Sequence, residues 1–249
     1  MPSDYVREYV DSSLDTFFAE GLISEVLYVV KSGKEATVYC CQGGPAAGAE
    51  LLAAKVFKPL EARVFRNDAA YRQGRTRAFG RRDKLAFAKK TSHGRDLQFG
   101  VWIASEYKAL SMLHAVGADV PRPVSRSGGA LLLEYLGDRE NAAPMLSQIS
   151  LPQPQAIAAF RRIIRNVALW LRYDLVHGDL SPFNILYWAG NVTIIDFPQA
   201  VDARFNQDAR SLLSRDLENV CSYFERMSVE ADPDRIADEL WRRYRRAEL

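Results

Sequence analysis

Scarcities narrow the possibilities first. The 249 residues hold only three cysteines, Cys40, Cys41 and Cys221, and no CxxC pair. Adjacent cysteines in one strand rarely bridge, so neither a disulfide framework nor a cysteine-built zinc site organises the chain. Reduced thiols in an intracellular, cytoplasmic setting are the expectation. No stretch approaches the ~20 apolar residues of a membrane helix. The opening Met-Pro-Ser-Asp-Tyr-Val-Arg-Glu lacks the apolar centre of a signal peptide. Net charge is only +2, so nothing global demands a nucleic-acid partner. There is no three-glycine GxGxxG loop and no Walker A run. Internal repeats and low-complexity tracts are also absent, which sets aside solenoid and fibrous classes. What remains is ordinary globular composition, 48% hydrophobic and 26% charged, enough for one large domain or two small lobes.

Residues 4–20 space Val6, Val10, Leu14, Phe17 and Phe18 helically, and Gly21 sits where such a helix stops. Three strand-like runs follow, over 25–31, 36–41 and 51–57. Loops carrying Gly33, and then Gly43, Gly44, Pro45 and Gly48, separate them, so an antiparallel meander is expected. Residues 61–98 change character, with eleven Arg or Lys against four Asp or Glu. This predicts a mobile basic segment, partly helical. Such a run is ordinarily a solvated face, but Phe65, Tyr71, Phe79, Phe87 and Phe99 would also suit stacking on RNA bases. A helix is expected over 100–116, broken by Pro121 and Pro123, then a buried strand over 130–136. A long helix follows from Gln155 to about Tyr173, its buried stripe being Ile157, Phe160, Ile163, Ile164, Val167, Ala168 and Leu171. Two closing helices are expected over 208–227 and 234–247. The order predicts an α+β, two-lobed architecture. Helix 1–21 packs on a small antiparallel-sheet lobe over 22–133, a hinge lies at 134–137, and a mainly helical lobe spans 138–249. A cleft between lobes is a common ligand site.

The richest chemistry is His-Gly-Asp-Leu-Ser-Pro-Phe-Asn at 177–184, followed twelve residues after Asn184 by Asp196 in Ile-Ile-Asp-Phe. A loop Asp, an Asn five residues on, and a second Asp delivered by an apolar strand suit phosphoryl transfer from ATP. Asp179 would orient an acceptor hydroxyl and accept its proton; read singly, it is a loop or helix cap. Asn184 and Asp196 are hard oxygen donors suited to magnesium. Their plainer readings are a turn residue and a solvated strand end. A turn at Gly190-Asn191 would bring the two to one end of a hairpin. Lys55, inside Leu-Leu-Ala-Ala-Lys-Val-Phe, must aim its ammonium at a counter-charge. Glu106 is the acidic choice on the helix over 100–116, and the pair serves either an ATP phosphate or structure alone. Ser32 and Lys34, in the first strand-to-strand loop, could contact phosphate or simply form a turn. His177 reads as a loop-framing residue rather than a catalytic acid, and His93 and His114 carry no assignment.

Four stretches resemble the RIO family of atypical protein kinases: Lys31 to Tyr39 (KSGKEATVY), Val176 to Tyr187 (VHGDLSPFNILY), Val192 to Gln199 (VTIIDFPQ) and Leu213 to Phe224 (LSRDLENVCSYF). The likeness runs from about residue 22 to 228. It is closest to the type-one branch, since the first 21 residues would not hold a winged-helix domain. The resemblance implies a trimmed two-lobed kinase fold using ATP and magnesium, or manganese in its place. By motif, Asp179 matches the catalytic Asp, Lys55 the strand-three Lys and Glu106 its helix partner. Asn184 and Asp196 match the metal ligands, and Ser32 and Lys34 the phosphate loop. Leu133 falls at the gatekeeper position, with Glu134 and Leu136 offering backbone groups to adenine. Segment 61–98 resembles the family's autophosphorylated loop, with Thr76, Thr91 and Ser92 as acceptors. Phe-Pro follows Asp196 where many kinases have Phe-Gly, and no Ala-Pro-Glu follows, so the peptide-docking activation segment is missing.

The implied activity is a serine/threonine protein kinase acting on itself or a protein partner. One alternative is an ATPase switch on a ribosomal or other RNA-protein particle, reached through 61–98, in which the metal-binding Asp itself accepts phosphate. Another is a small-molecule kinase of the aminoglycoside or choline type, which shares HGDL and IIDF. A pseudokinase scaffold is the last, with intact Asp179, Asn184, Asp196 and Lys55 against it. No membrane partner is expected.

Overall fold

The computed structural model describes residues 4–58 and 92–249. Helix α1 (Asp4–Ala19) is followed by strands β1 (Ile23–Ser32), β2 (Ala36–Gly43) and β3 (Leu51–Phe57). Gly21 adopts φ +66 and, with Leu22, donates its amide back to the last helical turn, closing α1 as a left-handed C-terminal stop should. Helix α2 (Ser92–Ala115), β4 (Pro123–Arg126) and β5 (Ala130–Glu134) complete the first half. The five strands form one antiparallel sheet in the order β1-β2-β3-β5-β4.

Strand alternation explains how this sheet is covered. Leu52, Ala54 and Val56 of β3 point to one face and join Leu14 and Phe17 of α1, Cys41 and Leu132 in a buried cluster. Fully burying side chains such as Leu14 and Phe17 contributes about 2 kcal/mol each, which holds α1 on the sheet. Ala53 and Lys55 point to the other face. All three cysteines are buried free thiols.

The chain after α2 supplies helix α3 (Gln153–Arg172), β6 (Leu175–Val176), β7 (Ile185–Trp188), β8 (Asn191–Ile194), β9 (Val201–Asp202), α4 (Ala209–Glu225) and α5 (Pro233–Arg245). β7 and β8 form an antiparallel hairpin, and β6 pairs with β9. The chain folds as two compact units. Among described residues the first takes 4–58, 92–111 and 121–142, and the second 112–120 and 143–249. Residues expected as a hinge, 134–137, are bonded into the first unit. The Tyr135 hydroxyl lies 2.7 Å from that of Tyr28, and Arg139 bonds Glu50 and Gln42.

Several local expectations change. Ser92 to Gln98, the end of the basic segment expected to be partly helical, belong to α2, which starts at Ser92 where the expected helix began at 100. Residues 61–91, with Thr76 and Thr91, lie outside the described residues. Pro121 and Pro123 precede and open an edge strand, β4, where only a break was expected; an edge tolerates the missing donor. The strand expected to reach 136 ends at Glu134. The hairpin turn is Ala189-Gly190, both at positive φ (48 and 83), one residue earlier than expected. The buried stripe of α3 is Ala156, Ala159, Ile163, Asn166, Val167, Trp170 and Leu171, while Ile157, Phe160, Ile164 and Ala168 are half-buried. No helix among the described residues is long and apolar enough to cross a membrane.

Candidate active site

In the second unit the loop after β6 carries Asp179, and α4 grips it from both sides. The Asp216 carboxylate accepts from the Gly178 amide (2.8 Å) and the Leu180 amide (2.9 Å). Arg215 donates to the Gly178 carbonyl, and Asn219 to the Leu180 carbonyl at 3.1 Å. Every backbone polar group of the two residues flanking Asp179 is therefore bonded to one helix. Asp216 is only 2% exposed. Burial pushes its carboxyl up to about 7, against the two amide donors and the Arg215 charge.

Gly178 is required here twice over. Its φ is +78, and a Cβ would lie 2.7 Å from the Gln199 carbonyl oxygen, which is fixed backbone. Gly178→Ala is expected to lower unfolding free energy by about 2 kcal/mol or more, and urea unfolding would measure it.

His177 ties this loop to the strand bearing the second carboxylate. Its Nδ1 accepts from the Asp179 amide (3.3 Å), so Nε2 carries the proton and donates to the Ile195 carbonyl (3.2 Å). Both ring nitrogens engage backbone, the framing role expected of it. Its ring also packs on Phe197 (4.5 Å between centroids), which in turn meets Trp170 edge-on. Phe197, fully buried, thus anchors the chain directly after Asp196.

Asn184 ends a short 3-10 turn, Pro182–Asn184, that opens into β7. Its amide nitrogen donates to the Asp179 carbonyl oxygen (2.8 Å) and reaches an Asp179 carboxylate oxygen at 3.4 Å. Its own carbonyl accepts from the Ile195 amide (2.9 Å). The open end of the hairpin thus brings Asn184 beside the residue preceding Asp196. Asp196 has φ +71, a left-handed conformation that a non-glycine residue holds only when its surroundings impose it. The Asp179 carboxyl is raised above the usual carboxylate range, first by burial and then by the Asp196 charge, with Arg215 and Asn184 opposing. Two carboxylates that repel in this way, plus one amide oxygen, are a donor set that a divalent cation relieves. Among described residues no group of three His, Cys, Asp or Glu could hold a metal unaided. The pair of carboxylates with one amide oxygen suits magnesium, which binds through one or two carboxylates with phosphate oxygens and water.

In the first unit, Lys55 Nζ lies 2.7 Å from Glu106 Oε1; Lys55 is 13% and Glu106 1% exposed. The ammonium also sits 5.1 Å from the Phe57 ring centroid. Lys55 pairs in register with Val38 and Leu131, and Ala53 with Cys40 and Leu133. Leu133 therefore shares the Lys55 face of the sheet. Glu134 donates its amide to the Arg122 carbonyl and accepts the Arg122 amide on its side chain, so a base would have to use its carbonyl. Leu136 is half-buried. Ser32 Oγ bonds Thr37 Oγ1 across the β1–β2 turn (3.1 Å), and exposed Lys34 stands at its tip. Lys58 closes that turn from the end of β3, donating to the Gly33 carbonyl.

The sequence reading missed Arg215, Asp216 and Asn219 as site residues. A signal existed: Asp216 falls on the stripe of Leu213, Leu217, Val220 and Phe224, where an unpartnered carboxylate is costly.

Comparison with known proteins fits this geometry. The family model described as the RIO domain matches residues 37–236. The RIO-type serine/threonine-protein kinase Rio1 of Haloferax volcanii is 29% identical over 208 residues, covering 83% of this chain and 66% of that protein. The RIO1 kinase of Chaetomium thermophilum is 30% identical over 225 residues, 86% of this chain and 42% of that protein. Rio1 of Thermoplasma acidophilum is 32% identical over 141 residues, 55% of this chain and 71% of its own length. The chain thus spans just under two thirds of the first of these relatives and less than half of the second. The Rio2 kinase of Chaetomium thermophilum, solved as an ADP/Mg2+-phosphoaspartate complex, superposes with a TM-score of 0.67 at 21% identity, over 92% of this chain and 64% of that one. Its two-lobed kinase fold is the fold found here.

Proposed function

This chain belongs to the RIO family, and on that premise we propose that it is an ATP- and magnesium-dependent serine/threonine protein kinase of the type-one branch, acting on itself or on a protein partner. The observation that carries the reading is the clamped loop: Asp179 is held between two backbone-locked residues, with Asn184 bonded to it and Asp196 close enough to shift its titration. Such rigidity is what phosphoryl transfer asks of a protein, since positioning and electrostatics supply most of the rate.

Asp179 orients the acceptor hydroxyl and takes its proton as the oxygen bonds to the γ-phosphorus. The β–γ bridging oxygen leaves with the bond electrons as ADP. Asn184 and Asp196 would hold magnesium, which would offset phosphate charge. Lys55, oriented by Glu106, contacts nucleotide phosphates. Ser32 and Lys34 add phosphate contacts from the β1–β2 turn, and Leu133 with Glu134 and Leu136 lines the adenine. Manganese can replace magnesium at such oxygen ligands. Buried free thiols and dependence on ATP fit a cytoplasmic protein.

A second reading draws on the solved Rio2 relative, captured as a phosphoaspartate complex. In it Asp196 accepts the phosphoryl group, water later releases it, and the cycle gates contact with an RNA-protein particle through the basic segment 61–98. One tube separates the two. The protein is incubated with magnesium and γ-labelled ATP, and label is followed on protein and in free phosphate. Acid-stable protein label is expected. Free phosphate with only acid-labile label would favour the second reading, and neither product would overturn both.

A further inference from the structure

The hairpin that carries the proposed metal ligands has only two strands, and such a hairpin is marginal in water unless its edges are held. The outer edge of β7 is covered by the chain at Pro144 and Met145: the Tyr187 amide donates to the Pro144 carbonyl, and Met145 bridges Leu186. On the outer edge of β8 the Asp119 carbonyl accepts the Ile194 amide at 2.8 Å. Ile194 lies two residues before Asp196.

The Asp119 side chain is not left to solvent. Arg162 of α3 binds it bidentately at 2.5 and 2.6 Å. Asn166, one turn further along α3 and 3% exposed, grips Asp119 at two points. Its carbonyl oxygen accepts the Asp119 amide (2.7 Å), and its nitrogen donates to the Asp119 carboxylate (2.6 Å). That nitrogen also donates to the Arg162 carbonyl, locking the amide orientation. A buried asparagine on an otherwise apolar helix stripe with all these bonds satisfied is a built device rather than a solvated surface pair.

We propose that Asp119 is a positioning residue for the metal: held by Arg162 and Asn166, it aims its carbonyl at β8 and so fixes the strained end of the hairpin that presents Asp196. The inference rests on the reading that Asn184 and Asp196 hold the cation. The role assigned to Asp119 is indirect, exerted through β8. Its loss is felt as a looser ligand set, in metal affinity more than in the chemical step.

The test is Mn2+ binding in the presence of ADP, read as free Mn2+ by electron paramagnetic resonance. Asp119→Ala and Asn166→Leu are expected to raise the Mn2+ dissociation constant roughly tenfold. Turnover at saturating metal should change much less, within about threefold. Arg162→Ala removes a half-exposed side chain, keeps the fold, and should raise the constant by about twofold to fivefold. Leu240→Ala, a core change on α5, is the control for mere destabilisation and should leave the constant unmoved. Unchanged affinity in Arg162→Ala and in whichever of the other two variants folds, or an equal rise in the control, overturns the inference while the metal reading stands. If the wild type binds no Mn2+ with ADP, or Asp196→Ala binds it as well as wild type, both fall together.

Discussion

Replacing Asp179 with alanine is expected to lower phosphoryl transfer by about 10²–10⁴-fold, the range a positioned general base supplies. Nucleotide binding should stay within about twofold, because uniform binding is lost only when ground-state contacts go. The loop should keep its shape, since the bonds that set it run from α4 to the residues on either side of Asp179. Asn184 also bonds the Asp179 carbonyl, which alanine retains. The check is the rate of label transfer beside nucleotide affinity by calorimetry. Full activity in the variant would remove Asp179 from the mechanism. An equal fall in affinity would make it a binding group instead.

Asp216→Asn carries the second large effect, in two readouts. Asparagine offers one acceptor oxygen to two amide donors, and its nitrogen would face the second. The loop would lose a bond on one side of Asp179, and transfer should fall by at least about tenfold, the penalty for misplaced groups. The second readout is stability against pH. The native carboxyl is raised to about 7, whereas in the unfolded chain it titrates near 4. The folded state therefore holds this proton more tightly. The resulting stability is full below about pH 4 and disappears as pH rises through about 7, a change on the order of a few kcal/mol. The asparagine variant cannot lose it. The melting-temperature advantage of the wild type over the variant should thus shrink between pH 5 and pH 8, by roughly 5 °C or more in a chain of this size. A difference that stays flat with pH would mean the carboxyl is ionised throughout.

Much of the architecture was legible because period and punctuation agree. The run Leu51–Phe57 forms the expected strand to the residue, with Lys55 on the face opposite Leu52, Ala54 and Val56. Gly21 ends its helix as its position suggests. The sequence misled where one residue type has two uses. Pro123 looked like a breaker and opens an edge strand, because only pairing partners reveal which strand lies at the edge. Helix α2 starts at Ser92, earlier than the expected 100, and holds Gly94 in its interior, a case of context overriding propensity. At the site, Asp179, Asn184 and Asp196 stood out by spacing. Asp119, Asn166 and Asp216 did not, since their meaning lies in partners 36 to 47 residues away. A polar residue on a buried helix stripe was the available clue, and Asn166 and Asp216 both offered it.

The chain between Asp196 and the first turn of α4 is short: Phe-Pro-Gln-Ala, the two residues of β9, and six more before Ala209. It is pinned at its start by Phe197 in the aromatic cluster and at its middle by β9 against β6. Not one of those twelve residues is a serine, threonine or tyrosine. The phosphate-operated switch that many kinases build just after this aspartate has no attachment point here. A phosphate carried on serine, threonine or tyrosine therefore cannot act from within this stretch.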